Sequence, residues 1–208
     1  VEEAQIPNRP DFGVVPVAGS GTAPSDAEWV RRIQQGERTA FDAIVCRYGR
    51  AIYRHLYHIM LNREDAEDLT QEAFIRAYRY VDRLAEGHSL RSWLYTIATR
   101  VGLNAIRSQR RRGRGANVSY ELLVETSGEL EEPSGRNRHR CAELRDEIES
   151  VLATLPPRSA ILMQLHYTEG FAIREAAEIV GMSSAAAKVA LCRARKELRQ
   201  RLCEEDET

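Results

Sequence analysis

The sequence lacks any apolar run near 18 residues, so no membrane-spanning helix is expected. Its first residues carry no basic stretch followed by a long apolar one, so no secretory signal is expected either. Cysteine is sparse: Cys46, Cys141, Cys192 and Cys203 form no C-x-x-C pair, and none stands beside a histidine at zinc-ligand spacing. They read as reduced thiols of a cytoplasmic protein, with Cys46 and Cys192 as packing residues inside helices. A helical-bundle metalloenzyme is raised by the acidic run from Glu64 to Glu72 together with His55 and His58. Such bundles need Glu-x-x-His on two helices, and that spacing is absent. Gly-rich phosphate loops and Ser/His/Asp or Cys/His arrangements are absent as well. No cofactor, metal or enzymatic activity is expected. Strand-like alternation of useful length is also missing.

What is present is helical periodicity and a segregation of charge. Charged residues make up 29% of the 208 positions and hydrophobic ones 43%, with a net charge of -1. That balance conceals seven arginines and no acid between His88 and Ala116, and five glutamates and no base between Glu121 and Glu132. A nucleic-acid backbone feels such a local stripe, not the total.

Residues 1–24, with four prolines, read as a flexible extension. Helices are expected over about 26–36, 38–61, 63–84 and 89–111, with Ser25 and Ser89 as caps. The second has the apolar face Phe41, Ile44, Val45, Tyr48, Ile52, Leu56 and Ile59. The third turns Ala66, Leu69, Ala73, Ala77, Tyr80 and Leu84 inward. Its outward stripe, Asp65, Asp68, Glu72, Ile75 and Arg79, mixes acids and a cation with an exposed isoleucine. That composition suits a protein-docking face, although a charged surface helix with one stray apolar residue reads the same way. The fourth helix interleaves Trp93 and Tyr95 with Arg91, Arg100, Asn104, Arg107, Arg110 and Arg111. Cations hold phosphates, aromatic faces stack bases and an amide reads base edges; Tyr95 reads better as core.

Residues 113–140, rich in glycine and acid, are expected to be a linker. A helix from about Cys141 to Leu155 ends at Pro156-Pro157, and another runs to about Tyr167. Then comes REAAEIVGMSSAAAKVALCRARKELRQRL at Arg174–Leu202. Small residues Ala177, Gly181, Ala187 and Ala190 allow two helices to cross closely. Ser183 and Ser184 can cap the second helix. That helix buries Ala187, Leu191, Ala194, Leu198 and Leu202 and keeps Lys188, Arg193, Arg195, Lys196, Arg199 and Arg201 outside. The pattern is a helix-turn-helix able to enter a major groove, or else an ordinary hairpin with a solvated basic face. A dimeric helix-turn-helix regulator remains an alternative, though no sustained heptad seam supports one. The architecture is all-α: two small helical domains on a flexible acidic tether.

The segments DAEDLTQEAFIRAY at 65–78, RSWLYTIA at 91–98, LPPR at 155–158 and the helix-turn-helix ending CRARKELR resemble bacterial RNA polymerase sigma factors of the extracytoplasmic-function group. This resemblance implies a sigma region 2 over residues 25–112 and a sigma region 4 over 141–208. It implies polymerase docking on the β′ clamp coiled coil through Asp65, Asp68, Gln71, Glu72, Ile75 and Arg79, and a tether that threads toward the RNA-exit path. Minus-ten recognition and melting would use Arg91, Trp93, Arg100, Asn104, Arg107, Arg110 and Arg111. Minus-thirty-five reading would use Ser183, Ser184, Lys188, Val189, Arg193 and Arg195. The implied partners are core RNA polymerase (clamp and β flap), promoter DNA and an anti-sigma factor, with the free chain a monomer. The family often has Asn where Arg100 stands, and a cation and a ring where Ala190 and Cys192 stand.

Overall fold

The computed structural model describes residues 24–85, 87–112 and 155–204, and every regular element among them is helical. The expected extension at 1–24, the tether at 113–140 and the helix from about Cys141 lie outside the described residues, apart from Pro24 and Leu155 at their borders. The chain divides into two compact units, Val1–Ser108 and Gln109–Thr208.

In the first unit α1 spans Asp26–Gln34, α2 Ala40–Met60 and α3 Arg63–Tyr80, with a 3-10 turn at Val81–Arg83 after α3, and α4, Leu90–Arg111, runs three residues past the unit's end. Ser25 starts α1 by accepting from the Glu28 amide at 3.2 Å, satisfying one of the donors a helix start leaves free. Trp29 and Ile33 bury its inner face. On α2 the step of three and four puts Phe41, Ile44, Tyr48, Ile52 and Leu56 inside. Val45 and Ile59 are only half-buried flanks, and His55 joins the core instead. Leu61 closes α2 in the left-handed region, φ 50°. Asn62 then caps α3, accepting from the Asp65 amide at 2.9 Å. A two-residue joint thus reverses the chain.

Cys46 does not pack in the core as expected. It is exposed, because it sits about 200° around α2 from Ile44, at ~100° per residue. Tyr80 likewise departs from its expected inward place. The helix tightens into a 3-10 turn there, Val81 and Leu84 take the buried positions, and the tyrosine ring is left 48% exposed. Leu69 lies at the edge of the inner face while Thr70 and Phe74 are buried. The Thr70 hydroxyl is satisfied by donating to the Ala66 carbonyl at 2.6 Å.

Ser89 starts α4 by accepting from the Ser92 amide at 3.2 Å. Leu90, Leu94, Tyr95, Ala98, Thr99, Val101 and Gly102 are its buried side. Gly102 is needed for close approach: a Cβ there would stand 3.1 Å from Ile59 Cγ2 and 3.3 Å from Leu56 Cδ2.

The second unit is described from Leu155. Pro156 precedes α5, Pro157–Met163, with proline at its first position. A π-type turn, Gln164–Thr168, continues it. Next come α6, Ile173–Val180, and α7, Ser184–Glu204. Gly181 leaves α6 at φ +69°, and the Met182 amide donates back to the Ala177 carbonyl at 2.8 Å. That is the wrap-around bond expected of a left-handed helix end. Ile161, Leu162, Leu165, Phe171, Ala176, Ala177, Ile179, Val180, Ala187, Leu191 and Ala194 form the core. Small residues at 176, 177, 187 and 194 let α6 and α7 cross closely. Ala190 and Leu198 are half-buried at the margin.

Candidate nucleic-acid and protein interfaces

The outer side of α3 is built by exclusion. Ala66, Thr70, Ala73, Phe74 and Ala77 take the core side, so Asp68, Gln71, Glu72, Ile75 and Arg79 fall opposite, with Asp65 beside them. Asp68, Gln71 and Arg79 are exposed, while Asp65, Glu72 and Ile75 are half-buried. Ile75 is therefore less open than the sequence suggested. Gln71, Glu72, Tyr78 and Arg79 stand one turn away on either side of it, where neighbouring side chains meet. Glu72 is paired with Arg76.

On α4 the structure brings together five of the seven candidate residues. At ~100° per residue, Trp93, Arg100, Asn104, Arg107 and Arg111 fall within about 60° of arc. Arg100, Asn104, Arg107 and Arg111 are exposed, and Trp93 is half-buried at the head of the row. Arg107 Nη1 lies 3.4 Å from Asn104 Oδ1, a weak contact that aligns cation and amide side by side. Arg110 is exposed but stands off the row. Arg91 lies on the far side of the helix, its guanidinium carbon 5.6 Å from the centroid of the buried Tyr95 ring. It covers core and is not joined to the row. Tyr95 is core, 1% exposed.

On α7 the buried line Ala187, Leu191 and Ala194 points one way. The opposite line is Ala185, Val189, Cys192, Lys196 and Arg199, all exposed, with Arg193 beside it. Ser184, Lys188 and Arg195 lie on a flank nearer the core. The Ser183 hydroxyl caps the helix, accepting from the Ala186 amide at 3.2 Å. Arg195 Nε reaches back toward the Leu191 carbonyl at 3.4 Å. Two residues at the centre of this outer face, Cys192 and Lys196, were absent from the candidate set. Their steps of three and four from Val189 were the available signal. Cys192 in particular is exposed, not packed, because Leu191 and Ala194 take the buried side of α7. The cation-rich outer side of α7 faces away from a hairpin whose turn is tightly closed.

Comparison with known proteins gives the family. The family model described as Sigma-70 region 2 matches residues 44–112, and Sigma-70, region 4 matches residues 145–198. The ECF RNA polymerase sigma factor SigE of Mycolicibacterium smegmatis is 30% identical over 185 residues, 88% of this chain and 68% of that protein. The chain belongs to the extracytoplasmic-function group of the sigma-70 family. SigW of Bacillus subtilis is 29% identical, with 83% of this sigma factor and 94% of SigW aligned. The ECF sigma-E factor of Escherichia coli K12 is also 29% identical, over 83% and 91%. Among solved structures, CnrH in complex with the cytosolic domain of CnrY superposes with a TM-score of 0.61 at 23% identity, covering 87% of this chain and 99% of that one. RpoE in complex with the anti-sigma factor NepR, from Bartonella quintana, gives 0.56 at 24%, covering 78% and 96%. These two superpositions establish the fold. As a sigma factor the chain directs promoter-specific initiation of transcription, and the family consists of transcription regulators rather than enzymes. No described helix is long and apolar enough to cross a membrane.

Proposed function

We propose that residues 25–112 dock on core RNA polymerase and hold the separated minus-ten strand, while residues 141–208 read the minus-thirty-five element as duplex. The acid-bearing outer face of α3, with Asp65, Asp68, Gln71, Glu72, Ile75 and Arg79, meets the β′ clamp coiled coil. The row on α4 meets the nontemplate strand: arginines take phosphates, Asn104 reaches a base edge and Trp93 offers a ring. Extruding a base costs a few kcal/mol, and stacking with hydrogen bonds offsets that cost. The outer face of α7 enters the major groove, with Val189, Cys192 and Lys196 central and Ser184, Lys188, Arg193 and Arg195 toward the backbone. Residues 113–140 thread the polymerase between the two units, and the second unit also touches the β flap.

Regulation by an anti-sigma factor is part of the same reading. The solved relatives are described in complexes with the anti-sigma factor NepR and with the cytosolic domain of CnrY. A partner that covers the α3 face and the basic helices blocks both functions at once. The free chain is then a cytoplasmic monomer.

The observation that carries this proposal is the alignment of Trp93, Arg100, Asn104, Arg107 and Arg111 on one side of one helix, without an acid in the row. The test is run-off transcription by purified core polymerase with Asp68→Arg/Glu72→Arg and with Arg100→Ala/Asn104→Ala. The first variant is expected to lose retention on core polymerase. The second is expected to keep retention and lose strand opening, read by permanganate reactivity of unpaired thymines. Wild-type transcript levels from either variant would overturn the corresponding assignment.

A further inference from the structure

Packing holds the chain between α3 and α4 only at its two ends. Val81 and Leu84 are buried at one end and Leu90 at the other, while Ala85, Gly87, His88 and Ser89 between them are exposed. Burial does not fix the path of this loop, so polar contacts decide it. At the α4 end Ser89 caps the helix, and the Trp93 amide donates to the Ser89 carbonyl at 3.0 Å. At the tip the His88 amide donates to the Ala85 carbonyl at 3.2 Å. At the α3 end the contacts come from α1 and from the turn that follows it. Gln34 Nε2 donates to the Leu84 carbonyl at 3.1 Å and lies 3.5 Å from the Asp82 carbonyl oxygen. The last carbonyls of a helical turn have no partner within it, and the Gln34 amide supplies one. Arg38 Nη2 donates to the Asp82 carboxylate at 3.0 Å. Its guanidinium carbon stands 5.0 Å from the Tyr78 ring centroid, so the cation is held from two sides.

We propose that Gln34 and Arg38 are positioning residues for promoter opening: by holding the backbone and carboxylate of Asp82 and the carbonyl of Leu84, they set the loop over residues 85–89 at the head of the α4 row before a strand arrives. This rests on the reading of α4 as the helix that holds the separated strand. The loop ends at Ser89, one turn before Trp93, so a strand lying along Trp93, Arg100, Asn104, Arg107 and Arg111 meets the loop next. A loop fixed beforehand reduces the ordering cost of capture. A loop anchored only at Ser89 pays that cost each time a strand is taken. Neither Gln34 nor Arg38 belongs to the row; each acts through the backbone or side chain of another element. Their loss leaves the burial of Trp29, Ile33, Val81 and Leu84 in place, so the fold and the outer face of α3 persist without them.

The test uses holoenzyme assembled from the full chain and core polymerase, on a promoter that the wild type opens. Opening is read by permanganate reactivity of unpaired thymines, with core retention and Tm measured in parallel. Gln34→Leu removes the donor and is expected to lower opening about three- to ten-fold, the order of one lost hydrogen bond. Gln34→Glu has the same shape but turns an acceptor toward the carbonyl oxygens, so it should lower opening further. Gln34→Arg keeps a donor and should recover most of the loss. Arg38→Asp should lower opening about two- to five-fold, the order of an exposed ion pair, and the exchange Arg38→Asp/Asp82→Arg should restore it. Ile52→Val, a buried change on α2 with a comparable stability cost, is the control. If Ile52→Val lowers opening as much as Gln34→Leu at equal loss of Tm, the effect is one of stability and the proposal is overturned. Lost core retention in the Gln34 or Arg38 variants would make this corner a polymerase contact and overturn it as well. Arg100→Ala/Asn104→Ala runs alongside. If that variant loses opening while every Gln34 variant opens like wild type, the positioning role alone is wrong; if neither loses opening, the strand-holding reading of α4 falls with it.

Discussion

His55 and Thr99 meet inside the first unit: His55 Nε2 lies 2.9 Å from Thr99 Oγ1, both residues are fully buried, and the contact ties α2 to α4. The Tyr95 ring stands edge-on to the imidazole at 5.0 Å. A buried polar atom that loses its partner keeps its desolvation cost. Thr99→Val is therefore expected to lower stability by about 1–3 kcal/mol. The double variant His55→Leu/Thr99→Val should recover much of that, because both polar groups leave together. Urea unfolding of the four proteins measures the coupling. Additive losses would show that the pair contributes nothing beyond its separate parts.

Tyr48 and Asp26 join α2 to the start of α1, the phenol donating to the carboxylate. Burial first, and then this hydrogen bond, push the Tyr48 phenol up from 10.0 to about 12. A folded value above the unfolded one means the protonated phenol is favoured by folding. Its contribution is fully present below pH 10 and is lost as pH rises from about 10 to about 12. Thermal unfolding of wild type should fall across that window more steeply than that of Tyr48→Phe. Parallel curves would show that Tyr48 does not couple folding to alkaline pH.

Gly102 lets α4 lie close to Ile59 and Leu56. Gly102→Val forces branched carbon into that contact and is expected to destabilise the first unit by about 1–3 kcal/mol. Ile59→Ala in the same chain removes the two Ile59 atoms nearest to that Cβ and leaves Leu56 Cδ2, so its own cost should shrink in the Gly102→Val background. Denaturant midpoints of the single and double variants decide this, and an undiminished cost would place the strain elsewhere.

The outer face of α7 predicts two kinds of response. Lys188 and Arg195 lie on a flank, so Lys188→Ala and Arg195→Ala should weaken duplex binding about equally across sequences and flatten its salt dependence by about one each. Val189 is 50% exposed at the centre, so Val189→Ala should alter which sequences are preferred with the salt slope unchanged. Selection from a randomised duplex pool at two salt concentrations separates these outcomes.

Cys192 shares that central line and is exposed. In a chain with Cys192 as its only cysteine, maleimide labelling should proceed readily when free and slow markedly in the presence of cognate duplex. A labelled chain should lose duplex affinity by more than about ten-fold, as a bulky group cannot enter the groove beside a fitted helix. Undiminished labelling on saturating duplex would place this face away from DNA.

Much of this molecule was legible in its residue order. Steps of three and four on α2, α3 and α7 marked the core lines, because a helix repeats every 3.6 residues whatever it packs against. Ser25, Ser89, Ser183 and Gly181 marked helix ends, because capping is chemistry among near neighbours. The acid-free arginine run marked the basic row on α4 in the same way. Beyond those local rules the residue order was silent. Tyr80 stayed outside because Val81 and Leu84 fit the space beneath α1 when the last turn tightened. His55 went inside because Thr99, 44 positions away, offered it a partner. Cys192 with Lys196 became the middle of a face because Leu191 and Ala194 had been drawn into the core of the second unit. In each case the deciding contact came from a different element, and a periodic pattern contains no record of which distant atoms will fill the space beside it.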